Sequence, residues 1–252
     1  MSSRISEKEV LIIKEKIEDK PQQSDLNGQW LLLATSIINV IAFAWALIWI
    51  LQQKGDPKYL RVTNALSAIL VVALFQYAVL SFSYAFVQGG NFERGYEMIL
   101  EVRYLQWIIM LPLIVFTFWE FARVNGYTGN FWLFLIPVVL FVVFMWLGDT
   151  DAFGWSGYSF AGHRKGWKWI FFVLALLSLA WLIFMVWNAT TYLQKTANIS
   201  TSGLEWYFTI GWLLYPLGFL FNGYTKLNIY NVADLINGAI YSFNLEYVLQ
   251  RN

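Results

Sequence analysis

The sequence predicts an all-α protein, a bundle of seven transmembrane helices. Three observations carry the prediction. Of 252 residues, 58% are hydrophobic and only 13% charged, about half the roughly 25% charged residues of a soluble chain. Mean hydropathy is +0.52. The charges are also bunched, leaving long stretches with none, and those stretches are apolar all round rather than alternating. That suits a lipid-embedded helix and not a barrel strand.

Crossing the hydrocarbon layer takes roughly 20 mostly apolar residues in a helix. The charge-free intervals run Asp25–Lys54, Arg61–Glu93, Arg103–Glu120, Arg123–Asp149, Lys168–Lys195 and Glu205–Lys226. Five are long enough outright. The Arg103–Glu120 interval is shorter, and its helix is extended back towards Glu97 with those charges at the interface. A seventh apolar segment, Ile229 to Leu249, is interrupted by Asp234. The expected helices are therefore about 29–52, 60–86, 98–122, 130–148, 168–190, 204–223 and 229–249. Short connections make neighbours antiparallel. The longest, 149–167, places Asp149 in a loop and is read as a hairpin.

Residues 1–27 form a separate tail ahead of the 28–252 transmembrane domain. Glu7, Glu9, Glu15, Glu18 and Asp19 exclude a signal-peptide core. Ser6 followed by Glu9 resembles a capping box, and Val10, Ile13 and Ile17 recur at helical spacing. A short amphipathic helix at 7–19 is expected to cap the bundle or lie on the membrane surface.

Composition narrows the chemistry. Cys is absent and His occurs once, as His163. Disulfides, thiolate or His-cluster metal sites and Ser/His or Cys/His nucleophile pairs are thereby excluded. No metal site and no catalytic residues are expected, so the chain is not read as an enzyme. A net charge of +1 offers nothing to nucleic acid. The expected partner is the lipid bilayer, with a second copy of the chain left open.

Ionisable residues inside spans are costly and point to function. Arg103, near the start of the third helix, and Asp234, in the seventh, are expected to pair, because a buried charge needs a counter-charge. Gln106, Trp107 and Met110 share a helical face with Arg103, and Tyr104 lies beside it. On the sixth helix Trp212, Tyr215 and Phe219 form a stripe, with Pro216 able to kink the backbone. Asp234, Gly238 and Tyr241 follow at i, i+4 and i+7 on the seventh. Such faces enclose a flat apolar ligand.

These segments resemble the microbial (type 1) rhodopsins. Arg103-Tyr104-Leu105-Gln106-Trp107, with Pro112 five residues on, resembles that family's third-helix Arg-Tyr-x-x-Trp…Pro. Trp212-Leu213-Leu214-Tyr215-Pro216 resembles its sixth-helix Trp-x-x-Tyr-Pro. Val232 to Tyr241 resembles its seventh helix, where Asp precedes the retinal-bearing Lys by four. Thr63-Asn64-Ala65-Leu66-Ser67 is similar to the second helix of the sodium-pump and xanthorhodopsin-like branches. The resemblance implies a seven-helix bundle around retinal with the N-terminus outside. Charge counting points the other way: ten of the 17 Lys and Arg lie on the N-terminal side and six opposite, which the positive-inside rule reads as N-terminus inside. The resemblance is preferred, because five of the ten sit on the tail. It also implies a pocket of Tyr104, Trp107, Leu111, Trp169, Leu176, Trp212, Tyr215, Phe219 and Gly238.

The departures carry the functional expectation. Gly238 stands where the family has its lysine, and glycine offers retinal no amine. The ion-handling triplet falls on Gln106, Met110 and Thr117, none of them ionisable, so the usual proton relay lacks acceptor, donor and Schiff base. The expectation is a photoreceptor-like membrane protein that binds retinal noncovalently. A slot beside Gly238 is expected to admit retinal as the Schiff base of an exogenous amine. The alternatives are a light-driven ion pump or channel whose native lysine was replaced, and a non-photochemical signalling subunit that binds no cofactor.

Overall fold

The computed structural model describes residues 23–53, 56–87, 92–149, 164–221 and 223–252. The expected tail helix at 7–19, most of the 149–167 hairpin and His163 lie outside these residues.

Among the described residues seven helical rods follow in order: α1 (Gln23–Gln52), α2 (Leu60–Val87), α3 (Phe92–Val124), α4 (Trp132–Asp149), α5 (Arg164–Lys195), α6 (Leu204–Phe219) and α7. The last has three parts, Gly223–Leu235, a π-helical turn Ile236–Ile240, and Tyr241–Arg251. There is no strand among the described residues. A 3-10 turn, Pro57–Tyr59, leads into α2; Asp56 caps it by accepting the Lys58 amide at 2.8 Å. Each rod packs on its chain neighbours, and α7 returns against α1 to close the ring.

By length and apolarity, α1 to α5 each contain a segment able to cross a membrane. Helix α6 has 16 residues and α7 is broken by its change of pitch. Both are completed by packing. Gly211 on α6 sits against Asn237 of the π turn: a Cβ there would lie 2.8 Å from Asn237 Cγ. The missing side chain lets the two backbones close up.

Outward faces are apolar, as lipid requires: Phe75, Trp45 and Phe184 are among the most exposed side chains. Tryptophans ring both ends, Trp30 and Trp169 at one, Trp132 and Trp206 at the other, the pattern of interfacial belts.

The outward position of Trp169, 52% exposed, corrects the expectation that it lines the pocket. The inward stripe of α5 is Phe172, Ala175, Leu179, Leu182 and Val186, roughly a quarter-turn round the helix from Trp169. Leu176 lies on the flank of that stripe, half-buried against the core.

Candidate functional site

Four helices bring the buried polar residues together in the half of the bundle nearer the start of α7. Arg103 of α3 and Asp234 of α7 are both fully buried. The Arg103 Nη1 donates to Asp234 Oδ2 at 2.6 Å, and Nη2 donates to Asn231 Oδ1 at 2.6 Å. Trp107 Nε1 and the Tyr215 hydroxyl each donate to Asp234 Oδ1 at 3.0 Å. The Tyr77 hydroxyl stands 3.0 Å from Oδ2. Asp234 thus has one cation and three neutral donors around it, a full set for a carboxylate.

An outer layer holds these donors. Asn231, one turn before Asp234, donates to Thr35 and Ser36 of α1 at 2.8 and 3.2 Å. Asn39 donates to the Tyr77 oxygen at 2.8 Å and to the Asn231 carbonyl at 2.9 Å. These groups lie inside the bundle, so each bond replaces a water lost on folding.

Towards the open end of the ring, a second ion pair was not expected from the sequence. Lys226 donates to Asp149, whose other oxygen accepts from Tyr104 at 3.0 Å and Tyr230 at 3.3 Å. Both ionic side chains are almost wholly buried, at 3% and 1% exposure. This corrects the placing of Asp149 in a solvated loop: α4 runs through it and turns it inward. The two pairs are joined by Tyr230, whose ring lies 5.9 Å from the Arg103 guanidinium.

Around both ion pairs the interior is aromatic. The Trp107 ring lies 4.3 Å from Tyr215 and 4.9 Å from Tyr104. Trp212 stacks on Phe208 at 5.0 Å and meets Phe141 at 5.8 Å. Leu111 is buried in the same core. Phe219 stacks on Phe172 at 4.8 Å, 14° from parallel, with Lys168 over its ring at 4.7 Å. Tyr77, Phe141, Phe172, Phe208 and Tyr230 are wall residues that sequence reasoning missed. Phe141, Phe172 and Phe208 sit in helices apolar on every side, where spacing alone does not mark the inward face.

The three altered ion-handling positions are buried and neutral. Gln106 Nε2 donates to the Met110 sulfur at 3.0 Å; Thr117 bonds the Ile114 carbonyl at 2.7 Å and the Tyr241 hydroxyl at 3.0 Å. Buried acids that the sequence did not single out are Glu120, Glu205 and Glu246. Glu120 is held by Arg123 at 2.6 Å and Glu205 by Thr201 at 3.0 Å.

Gly238 lies in the π turn, buried. A Cβ built on it would come within 2.9 Å of Phe43 Cζ and closer still to Cε1. The slot expected beside Gly238 is therefore filled by the Phe43 ring. The lysines among the described residues, Lys58, Lys165, Lys168, Lys195 and Lys226, all lie at helix ends or before them. The residues present offer retinal no amine at this position and so do not fit covalent attachment there.

A family model described as bacteriorhodopsin-like protein matches residues 27–251. The meiotically up-regulated gene 73 protein of Schizosaccharomyces pombe is 25% identical over 260 residues, 94% of this chain and 78% of that protein. Thermophilic rhodopsin superposes with a TM-score of 0.72 at 16% identity, over 89% of this chain and 94% of that one. Exiguobacterium sibiricum rhodopsin superposes at 0.65 and 18% identity, over 90% and 97%. At these identities the two structures establish the fold and nothing finer. The family match runs through all seven helices, and the chain belongs to the bacteriorhodopsin-like family of membrane proteins.

Proposed function

We propose that this protein binds free retinal, or a polyene of the same shape, noncovalently between ring faces, and that it does not pump protons. The observation that carries the reading is the state of Asp234. In the resemblance it stands one helical turn before the attachment position, where a buried cation would need it. Here Arg103 already supplies its counter-charge, and Trp107, Tyr77 and Tyr215 occupy its remaining lone pairs. A second buried cation beside it would stand next to Arg103 without a carboxylate of its own, which is costly in low dielectric. Gln106 in place of an acid is consistent with that: with no cation to balance, a carboxylate there would itself be unpaired.

The residues of the chain have distinct tasks in this reading. Trp107 and Trp212 offer the ring faces, Tyr215 braces Trp107, and Leu111 lines the floor. Retinal held this way would supply a chromophore and no titratable nitrogen. Gln106, Met110 and Thr117 carry no group that ionises near neutral pH.

The test is titration of purified protein with all-trans retinal, read by tryptophan quenching. Saturable quenching is expected, without a retinyl-modified peptide after borohydride treatment and without a light-driven pH change in vesicles. Trp212→Ala is expected to weaken binding about tenfold, since a ring contact is worth roughly 0.5–1.5 kcal/mol beyond the area it covers. A retinyl-modified lysine in the unaltered chain would overturn the reading. Absence of quenching would favour the non-photochemical subunit instead.

We further infer that the N-terminus faces outward, which puts the α5–α6 connection in the cytoplasm.

A further inference from the structure

We propose that Phe43 of α1 is a second, independent block on covalent retinal, a specificity-determining residue that seals the side of the pocket where an attached amine would run.

The observation is steric. Gly238 is the position in α7 from which a side chain could enter the pocket a helical turn beyond Asp234. A Cβ placed there would have Phe43 Cζ at 2.9 Å and Cδ1 at 3.3 Å, with Cε1 nearer. Contacts below 3.0 Å do not occur between a Cβ and a ring unless something moves, and this ring has little freedom. Phe43 is wholly buried, and its ring packs on Tyr77 at 5.6 Å. Tyr77 is held by Asn39 and by Asp234. To swing aside, Phe43 would disturb the donors of the central carboxylate. Backbone geometry tightens the arrangement: the π turn Ile236–Ile240 widens α7 where Gly238 lies, and the Phe43 ring fills the space beside it.

The consequence reaches beyond the missing lysine. Restoring an amine at 238 is not sufficient, because the Phe43 ring stands where its first carbons would go. An exogenous amine adduct of retinal is excluded for the same reason. The site takes a free polyene whose end stops short of Phe43, and it discriminates against longer adducts. This rests on the reading of Gly238 as the family's attachment position and of the wall as a retinal site. The first arm of the test is independent of both.

That arm compares thermal unfolding of G238A, F43A and F43A/G238A in detergent. G238A is expected to lower Tm in the native background, through overpacking. In the F43A background the same change is expected to leave Tm unchanged or raise it, since the methyl then enters the space left by the ring. An equal loss in both backgrounds would overturn the proposal.

The second arm adds all-trans retinal to G238K and to F43A/G238K. Where an amine reaches the aldehyde, condensation releases one water, and borohydride then delivers hydride to the C=N bond to leave a stable secondary amine. Peptide mass spectrometry is expected to find the retinyl mass at position 238 in F43A/G238K and not in G238K. Equal labelling of the two would overturn the proposal. No labelling in F43A/G238K, with non-additive unfolding in the first arm, would overturn the retinal reading and leave the Phe43 block standing.

Discussion

Asp234 shows how one residue constrains many. Its burial costs several kcal/mol and is offset only because Arg103 and three neutral donors converge on it. Removing one partner of such a pair costs about 3–5 kcal/mol, because the other charge is stranded. Asp234→Asn is expected to lose stability in that range. Asp149→Asn is expected to behave the same way, since it would strand Lys226 at 3% exposure. Glu101→Gln, on an exposed face of α3, is expected to stay within about 0.5 kcal/mol of the parent. Thermal unfolding of the three variants in one detergent measures this. If Asp149→Asn matched Glu101→Gln, the second pair would be a surface contact of no consequence.

At the scale of the element, α5 and α7 teach different lessons. Helix α5 is apolar on every side, so composition says that it spans and not which face turns inward. Trp169 and Phe172 are both large and aromatic; one anchors at the interface and the other stacks on Phe219. Phe172→Ala is expected to cost about 3–5 kcal/mol by leaving a cavity. Trp169→Ala is expected to cost less than about 1 kcal/mol, because its ring lies in lipid or headgroups. Equal losses would place Trp169 in the core after all. Helix α7 is legible by contrast: Asn231, Asp234, Gly238 and Tyr241 share one inward stripe at i, i+3, i+7 and i+10. What spacing did not reveal is the π turn that shifts the register after Leu235. Such a turn depends on packing against α1 and α6.

For the whole molecule, closure of the ring between α7 and α1 explains why a residue of the first helix controls a position in the last, Phe43 against Gly238. Closure also fixes which ends lie together: the start of α7 and the ends of α4 and α6 share one membrane face with the start of α1. The proposed orientation puts the α5–α6 connection in the cytoplasm. Because the chain has no cysteine, Ser200→Cys supplies a single reporter at an exposed site of that connection. It is expected to react with a membrane-impermeant maleimide only after cells are opened. Labelling in intact cells would reverse the orientation and agree with the positive-inside count of Lys and Arg.

Six of the seven helices were legible from charge-free lengths, and the seventh as an apolar segment broken by charge, because the cost of a charge in hydrocarbon is large and depends little on neighbours. The pairing of Arg103 with Asp234 was expected on the same ground, since two isolated intramembrane charges have few other options. The sequence could not disclose the burial of Asp149 and Lys226. Both sit at the edges of apolar segments, where lipid, water or a partner are equally open to a charge, and the inward turn of α4 and α7 makes the choice. Nor could it disclose Phe43. A phenylalanine in an apolar helix fits lipid and core alike, and its meaning at Gly238 arises from a contact between the first and last helices. Single-residue costs are written in the chain, whereas the partners that meet across the closed ring are set by how the seven helices pack.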